Sequence, residues 1–277
     1  MLEVRFGAGL PACRFCVGEF TVSSARAIEF DRVDFAYGQV PILSNLSFAV
    51  DAGTISCVIG PSGCGKTTVL RLIAGFIRAT AGEVTVAGKA RTRPSRDVAV
   101  VFQDYGRALL PWRTVYDNVS LALEAAHVPR NERRPKIESM LELVGLQNHA
   151  KKFPAQLSGG MQQRLQIARC LAQEPSILLM DEPFGALDAM TRASLQDELL
   201  RIQSQRGVTV LFVTHDLEEA LYLGHQVVAL KANPGHLGRL VEVGLPYPRD
   251  QLATREHPEF LHMRRELFSL THDGHQG

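Results

Sequence analysis

The chain has 277 residues, of which 45% are hydrophobic and 21% charged, and its formal net charge is +1. That length has room for one large domain or one domain with a subdomain, and for a substantial core, and the composition is that of an ordinary globular protein. The near-neutral balance leaves no whole-chain electrostatic footprint for nucleic acid, and no apolar run approaches the ~18 residues of a membrane-spanning helix, so any membrane role comes through a partner.

Residues 1–26 read as an extension, expected to be disordered, with no periodicity and no clear apolar core of a secretory signal. Within it, Cys13-Arg14-Phe15-Cys16 is a lone C-x-x-C with no second pair to complete a zinc site, and reads as incidental. The other cysteines are Cys57 in an apolar run, Cys64 in a glycine-rich loop, and Cys170. That distribution suits a reducing compartment better than a disulfide framework. The fold is expected to begin at residue 27. Residues 27–37 alternate as a half-buried strand ended by Gly38, 46–50 form a second strand, and 51–53 supply a turn.

A buried strand over 55–59 then runs into Gly60-Pro61-Ser62-Gly63-Cys64-Gly65-Lys66-Thr67-Thr68, followed by a helix from residue 69 to 74. This is G-x-x-x-x-G-K-[ST] between a strand and a helix, the context that gives the pattern its meaning. The glycines let successive backbone N–H groups turn inward around phosphate oxygens, and the helix N-terminus adds its unpaired N–H groups. Lys66 is placed to reach the β- and γ-phosphates, and the Thr67 hydroxyl to sit on Mg²⁺. The loop points to a nucleoside triphosphate.

Strands follow at 83–86 and 98–102, with Gln103 directly after the second. Residues 104–172 then turn helical, with apolar spacing over 115–123 and 137–144. The last helix of this stretch is capped by Ser158 in Leu157-Ser158-Gly159-Gly160-Met161-Gln162-Gln163. Strand and helix alternation resumes with an apolar run at 177–180 ending in Asp181-Glu182, a helix over 191–205 and a buried strand over 208–213. Thr214-His215-Asp216 opens a short helix. Strands near 227–230 and 240–243 and a helix from 258 to 270 complete the chain. The pattern implies an α/β fold with a mainly parallel sheet flanked by helices.

In such a sheet, ligands bind beyond the carboxyl ends of the strands. Asp181 is expected to hold Mg²⁺ through its water shell, and Glu182, one residue on, to point the other way and polarise an attacking water. His215 emerges on the same sheet edge. Gln103, at another strand end, can offer its carbonyl to Mg²⁺ or hold the water.

Together with Ala186-Leu187-Asp188, these motifs resemble the ordered set of ABC-type ATPases over about residues 28–245. The Leu-Ser-Gly-Gly stretch is the discriminating piece. The resemblance implies a RecA-like phosphate-loop core with an N-terminal antiparallel β subdomain and an inserted helical subdomain at about 104–172, all within an ATPase domain spanning 27–245. Residues 246–277 are then a C-terminal tail with one helix. It also implies ATP hydrolysis to ADP and phosphate in a head-to-tail homodimer, in which Ser158, Gly159 and Gly160 of one copy close on the ATP of the other. Tyr37 matches the aromatic that stacks on adenine, the alternative being a core tyrosine. Met161 departs from the glutamine of many relatives without touching a catalytic atom.

A narrower resemblance, over residues 109–119 and the late Leu245-Pro246-Tyr247-Pro248-Arg249-Asp250, is to importer ATPases for nitrate, sulfonate, taurine and similar anions. It implies transmembrane permease subunits, a solute-binding protein reached through them, no nucleic acid, and a peripheral place on the cytoplasmic face of the inner membrane. Trp112, the only tryptophan, is then either an anchor at the permease contact or a core residue. The rival readings are an exporter ATPase, a soluble ABC protein acting on nucleic acid, and a binding module with a decayed site. The second lacks its tandem domains or basic extension here, and the third conflicts with intact Lys66, Glu182 and His215.

Overall fold

The computed structural model describes residues 25–272. The expectations for residues 1–24, including Cys13 and Cys16, and for 273–277 lie outside the described residues. Strand β1 (Arg26–Tyr37) turns at Gly38, whose φ of 60° glycine adopts freely, and pairs antiparallel with β2 (Val40–Asp51). The sequence pattern shows only the second half of β2. Its first residues, Val40 and Pro41, are exposed and are held by pairing to Tyr37 and Ala36, so burial leaves no alternation to read there.

Strand β3 (Ile55–Ile59) leads through the glycine-rich loop into α1 (Lys66–Ala74). The chain returns as β4 (Ala81–Val86) on the free edge of β1, and the short β5 (Lys89–Ala90) completes an antiparallel sheet of order β2-β1-β4-β5. β6 (Val98–Val101) then enters a second sheet.

The helical insertion follows as expected. It comprises α2 (Tyr105–Ala108), α3 (Val115–Ala125), α4 (Arg130–Leu143) and α5 (Gly159–Leu171). Helix α4 starts well before the 137–144 pattern, because its first two turns are polar and bury nothing; its buried residues are Ile137, Met140 and Leu141. After β7 (Ile177–Asp181) come α6 (Ala189–Arg206), β8 (Thr209–Val213), α7 (Leu217–Leu223), β9 (Gln226–Lys231) and β10 (His236–Glu242). The second sheet has the order β10-β9-β3-β8-β7-β6, parallel except for the edge strand β10.

The two-residue period of a strand sorts the central strands between two cores. Ile55, Cys57, Leu178, Met180, Val210 and Phe212 join the helical insertion, α6 and α7. Val58, Ile177, Leu179, Leu211 and Val213 face α1 and the antiparallel sheet. Both faces are covered, which is why these strands read as unbroken apolar runs.

The tail differs from expectation in having two helices. A short helix, α8 (Ala253–Glu256), precedes α9 (Pro258–His272). It is too short and polar to show a period, and it is started by Asp250, whose carboxylate accepts from Leu252 N and Ala253 N at 2.9 and 2.8 Å. The amphipathic helix α9 is packed home: Phe260, Met263 and Leu267 are buried in the same core as the central sheet. Phe260→Ala should therefore cost about 3–5 kcal/mol and lower the thermal midpoint by roughly 10 °C in a circular-dichroism melt. A tail merely resting on the surface would leave the midpoint unmoved.

Candidate functional site

Parallel pairing sends the carboxyl ends of β3, β7 and β8 to one edge of the sheet, and the glycine-rich loop leaves β3 at that edge. At Gly63, φ is 80° and an added Cβ would meet nothing within 4 Å, so only the left-handed backbone demands glycine there. At Gly65, a Cβ would strike Leu43 Cδ2 at 2.6 Å. The loop thus lies against β2 at Gly65.

Gly65 caps α1 without a side-chain bond, and the first turn of α1 carries no acidic residue. Its N–H groups and positive dipole end are therefore available to an anion. Lys66 is buried and donates from Nζ to Gly60 O (2.8 Å) and Pro61 O (3.0 Å), so a cation is stored beside the cradle. Burial pushes the Cys64 thiol up, and it packs as a small apolar group. Among the described residues Cys57, Cys64 and Cys170 are all free and buried.

The two acids at the end of β7 face different partners. Asp181 Oδ2 accepts from the Thr67 hydroxyl at 3.1 Å. Burial raises its carboxyl above the usual range, and the Thr67 bond, with Arg71 and Lys66 nearby, opposes the rise. Glu182 sits in the left-handed region with φ 42°, and its N–H donates to Val213 O at 2.9 Å. Its Oε2 lies 3.2 Å from His215 Nδ1 and 3.5 Å from Gln103 Nε2. A non-glycine residue at positive φ costs about 1–3 kcal/mol, and here it turns Glu182 toward Gln103 and His215 while Asp181 keeps to Thr67.

Gln103 turns its amide nitrogen to Glu182 Oε2. The backbone of Phe102 beside it is bracketed by the buried Gln166 of α5, whose amide accepts from Phe102 N (2.8 Å) and donates to Phe102 O (3.3 Å). Among the described residues, no group of three or more His, Cys, Asp or Glu side chains could hold a metal by itself. The Thr67–Asp181 pair suits Mg²⁺, which takes one or two protein oxygens and fills its shell with water and phosphate oxygens.

Tyr37 and the Leu-Ser-Gly-Gly stretch are held by different elements. Tyr37 is 46% exposed at the end of β1, edge-on to Phe35, and its hydroxyl accepts from Arg71 Nη1 of α1 at 3.1 Å. Ser158 caps α5 as expected, its hydroxyl accepting from Met161 N at 3.4 Å. A Cβ on Gly160 would collide with Thr191 Cγ2 of α6. Gly159 begins α5 between them. Ser158 and Gly160 find their partners on α5 and α6, and α5 packs on α2, α3, α4, α6 and β6, whereas α1 packs on β4, β6, β7 and β8.

Trp112 is 72% exposed, which removes the core reading. It stands on the turn before α3, and that turn is held by Asn118, fully buried, whose Nδ2 donates to Leu110 O, Arg113 O and Thr114 O at 3.2, 3.0 and 3.0 Å. Sequence reading passed over Asn118. Its signal was a polar residue one turn after Val115 and directly before Val119, inside the buried stripe.

Residues 43–185 match the family model described as ABC transporter. The chain belongs to the ABC transporter ATP-binding family. This ABC ATPase is 46% identical over 236 residues to the nitrate import ATP-binding protein of Synechococcus elongatus, covering 84% of this chain but only 36% of that protein. It is 43% identical over 216 residues to the aliphatic sulfonates import ATP-binding protein of Bacillus cereus, covering 77% of this chain and 83% of that one. Among solved structures, a dimeric ATP-binding cassette in a post-hydrolysis state with ADP and Pi superposes with a TM-score of 0.67 at 32% identity, over 78% of this chain and 98% of that chain.

The stored cation yields a direct test. Lys66→Ala should weaken ATP binding by about 1.5–3 kcal/mol, the range of a hydrogen bond to a charged group, with the fold intact. Titration calorimetry showing unchanged affinity would contradict the role given to Lys66.

Proposed function

We propose that this ABC ATPase is the ATP-hydrolysing subunit of an importer for a small anion of the nitrate or sulfonate class, working as a head-to-tail homodimer beneath transmembrane permease subunits. The observation that carries the partner is Trp112, a large aromatic held out in solvent on an Asn118-braced turn within the 109–119 stretch. Phe153, 42% exposed, joins the same end of the helical insertion, because Val115 N donates to Lys152 O at 2.8 Å. Among the described residues no helix is long and apolar enough to cross a membrane. The import roles in the two relatives' names support the solute class, and the dimeric neighbour supports the dimer.

In this reading Lys66 leaves its loop carbonyls to steady the β- and γ-phosphates, and Tyr37 offers its exposed ring to adenine. Thr67 and Asp181 hold Mg²⁺, which when bound neutralises charge on the phosphate oxygens. Glu182 takes the proton of the attacking water, with Gln103 and His215 fixing its carboxylate. Ser158 and Gly160 of a second copy close over the phosphates, since within one chain Ser158 is engaged in capping α5 and Gly160 packs on α6. Closure on ATP and reopening after hydrolysis move the 109–119 surface and, through it, the permease.

Glu182→Gln keeps the shape and removes the charge that activates water. The variant should bind ATP normally, nearly cease phosphate release, and elute as a dimer in size-exclusion chromatography with ATP and Mg²⁺. Near-normal turnover would sink Glu182 as the base.

Trp112→Ala should keep its melting temperature and ATP affinity but lose permease. An aromatic anchor contributes ~2 kcal/mol or more, so co-purification affinity should fall roughly thirtyfold. A variant that still docks normally would overturn the assignment of this surface.

A further inference from the structure

Thr214, buried directly before His215, donates its hydroxyl to Glu219 Oε2 at 2.6 Å and accepts from Asp216 N at 3.0 Å. The other oxygen of Glu219 accepts from Gln196 Nε2 of α6 at 3.0 Å. Glu219 is a buried carboxylate that hydrolysis does not use, raised by burial and held down by these two bonds. The network does not end in the ATPase core. Gln196 Oε1 accepts from Arg255 Nη2 of the tail at 3.2 Å and from Gln251 Nε2 at 3.4 Å.

The tail grips α7 along its length. Arg255 Nη1 and Arg264 Nη1 hold Glu218 at 3.0 and 2.6 Å. Arg249 donates to Leu221 O at 3.4 Å and Gly224 O at 3.2 Å, closing the carboxyl end of the helix. At the other end Asp216 accepts from Glu218 N and Glu219 N at 2.9 and 3.2 Å and pairs with Arg192 of α6 at 3.6 Å. Both neighbours of His215 are therefore pinned, while its own ring is 67% exposed and meets Glu182.

We propose that the C-terminal segment 246–272 is a positioning element for His215, with Arg255 acting through Gln196, Glu219 and Thr214 to hold the imidazole against Glu182. The proposal rests on the reading of His215 as part of the hydrolytic site. It gives the tail a share in turnover, although none of its residues touches the phosphate loop, Asp181 or Glu182 in the hydrogen bonds described above. Thr214 and Glu219 supply the last two links, and a small displacement of the ring suffices to lower the rate, since misplacement by ~1 Å can cost on the order of 10²-fold.

The test uses the full chain with ATP and Mg²⁺, measuring phosphate release at saturating ATP, KM for ATP, and thermal melting. Thr214→Val, which keeps the shape and removes the hydroxyl, should lower kcat about tenfold with KM unchanged, and Thr214→Ser should restore it. Arg255→Met should lower kcat severalfold. Neither should slow hydrolysis further in the His215→Ala background, where single-turnover release over hours resolves the residual rate. As an activity-independent readout, histidine-labelled NMR should show the His215 ring signal, assigned by its loss in His215→Ala, shifted in Arg255→Met. Wild-type turnover by His215→Ala would sink the role of His215 itself and the proposal with it. Loss of turnover in His215→Ala, with undiminished kcat in Thr214→Val or Arg255→Met and an unmoved ring signal, would overturn the positioning proposal alone. So would additive losses in the double variants, which would make the network structural.

Discussion

The register of β7 against β8 is the constraint on which the site depends. Asp181 pairs with Val213, and Val213 pairs in turn with Val58 of β3. The residues after these three, Glu182, Thr214-His215 and Ile59-Gly60, therefore reach the sheet edge together. One residue of slip in β7 would exchange its two faces, carrying Leu178 and Met180 into the α1 core and dispersing the acids. The register is secured by the two distinct cores on either side of the sheet. The Glu182 N–H bond to Val213 O continues the ladder one step past the strand.

That extra step separates two adjacent carboxylates that would otherwise compete. Asp181 stays half-buried with a hydroxyl partner and Glu182 swings to an imidazole and an amide. Neighbouring acids of like charge raise one another's proton affinity, and Glu182 still adds to the rise that burial imposes on Asp181, so the division serves to give each carboxylate its own partners. Lys66 contributes from the third strand's loop without pairing to either acid, its ammonium being taken by backbone carbonyls.

The phosphate loop, the strand ends and the helical insertion were legible because each is local: spacing, an apolar run, or a period fixes it. So was the cap at Ser158. What escaped reading depends on contacts between distant segments. Glu218 and Glu219 look alike in sequence, yet one faces two tail arginines and the other is buried against Thr214 and Gln196. The exposure of Trp112 follows from Asn118, whose bonds run back up to eight residues to Leu110. The polar start of α4 and the four residues of α8 carry too little apolar pattern to announce a helix. The division of Asp181 from Glu182 could be anticipated in direction, but the partners could not be named.

The burial of Phe260, Met263 and Leu267 beside the central strands has a consequence for biosynthesis. The chain emerges from the ribosome amino end first, so the phosphate loop, both acids and the aromatic turn at Trp112 are all exposed to the cell before these three side chains exist. The largest core cannot close until residue 267 has left the exit tunnel. Until then the sheet presents an open apolar face, and a chaperone or an early-assembling subunit has its chance to bind there. Completion of the cassette is thus timed by the emergence of α9.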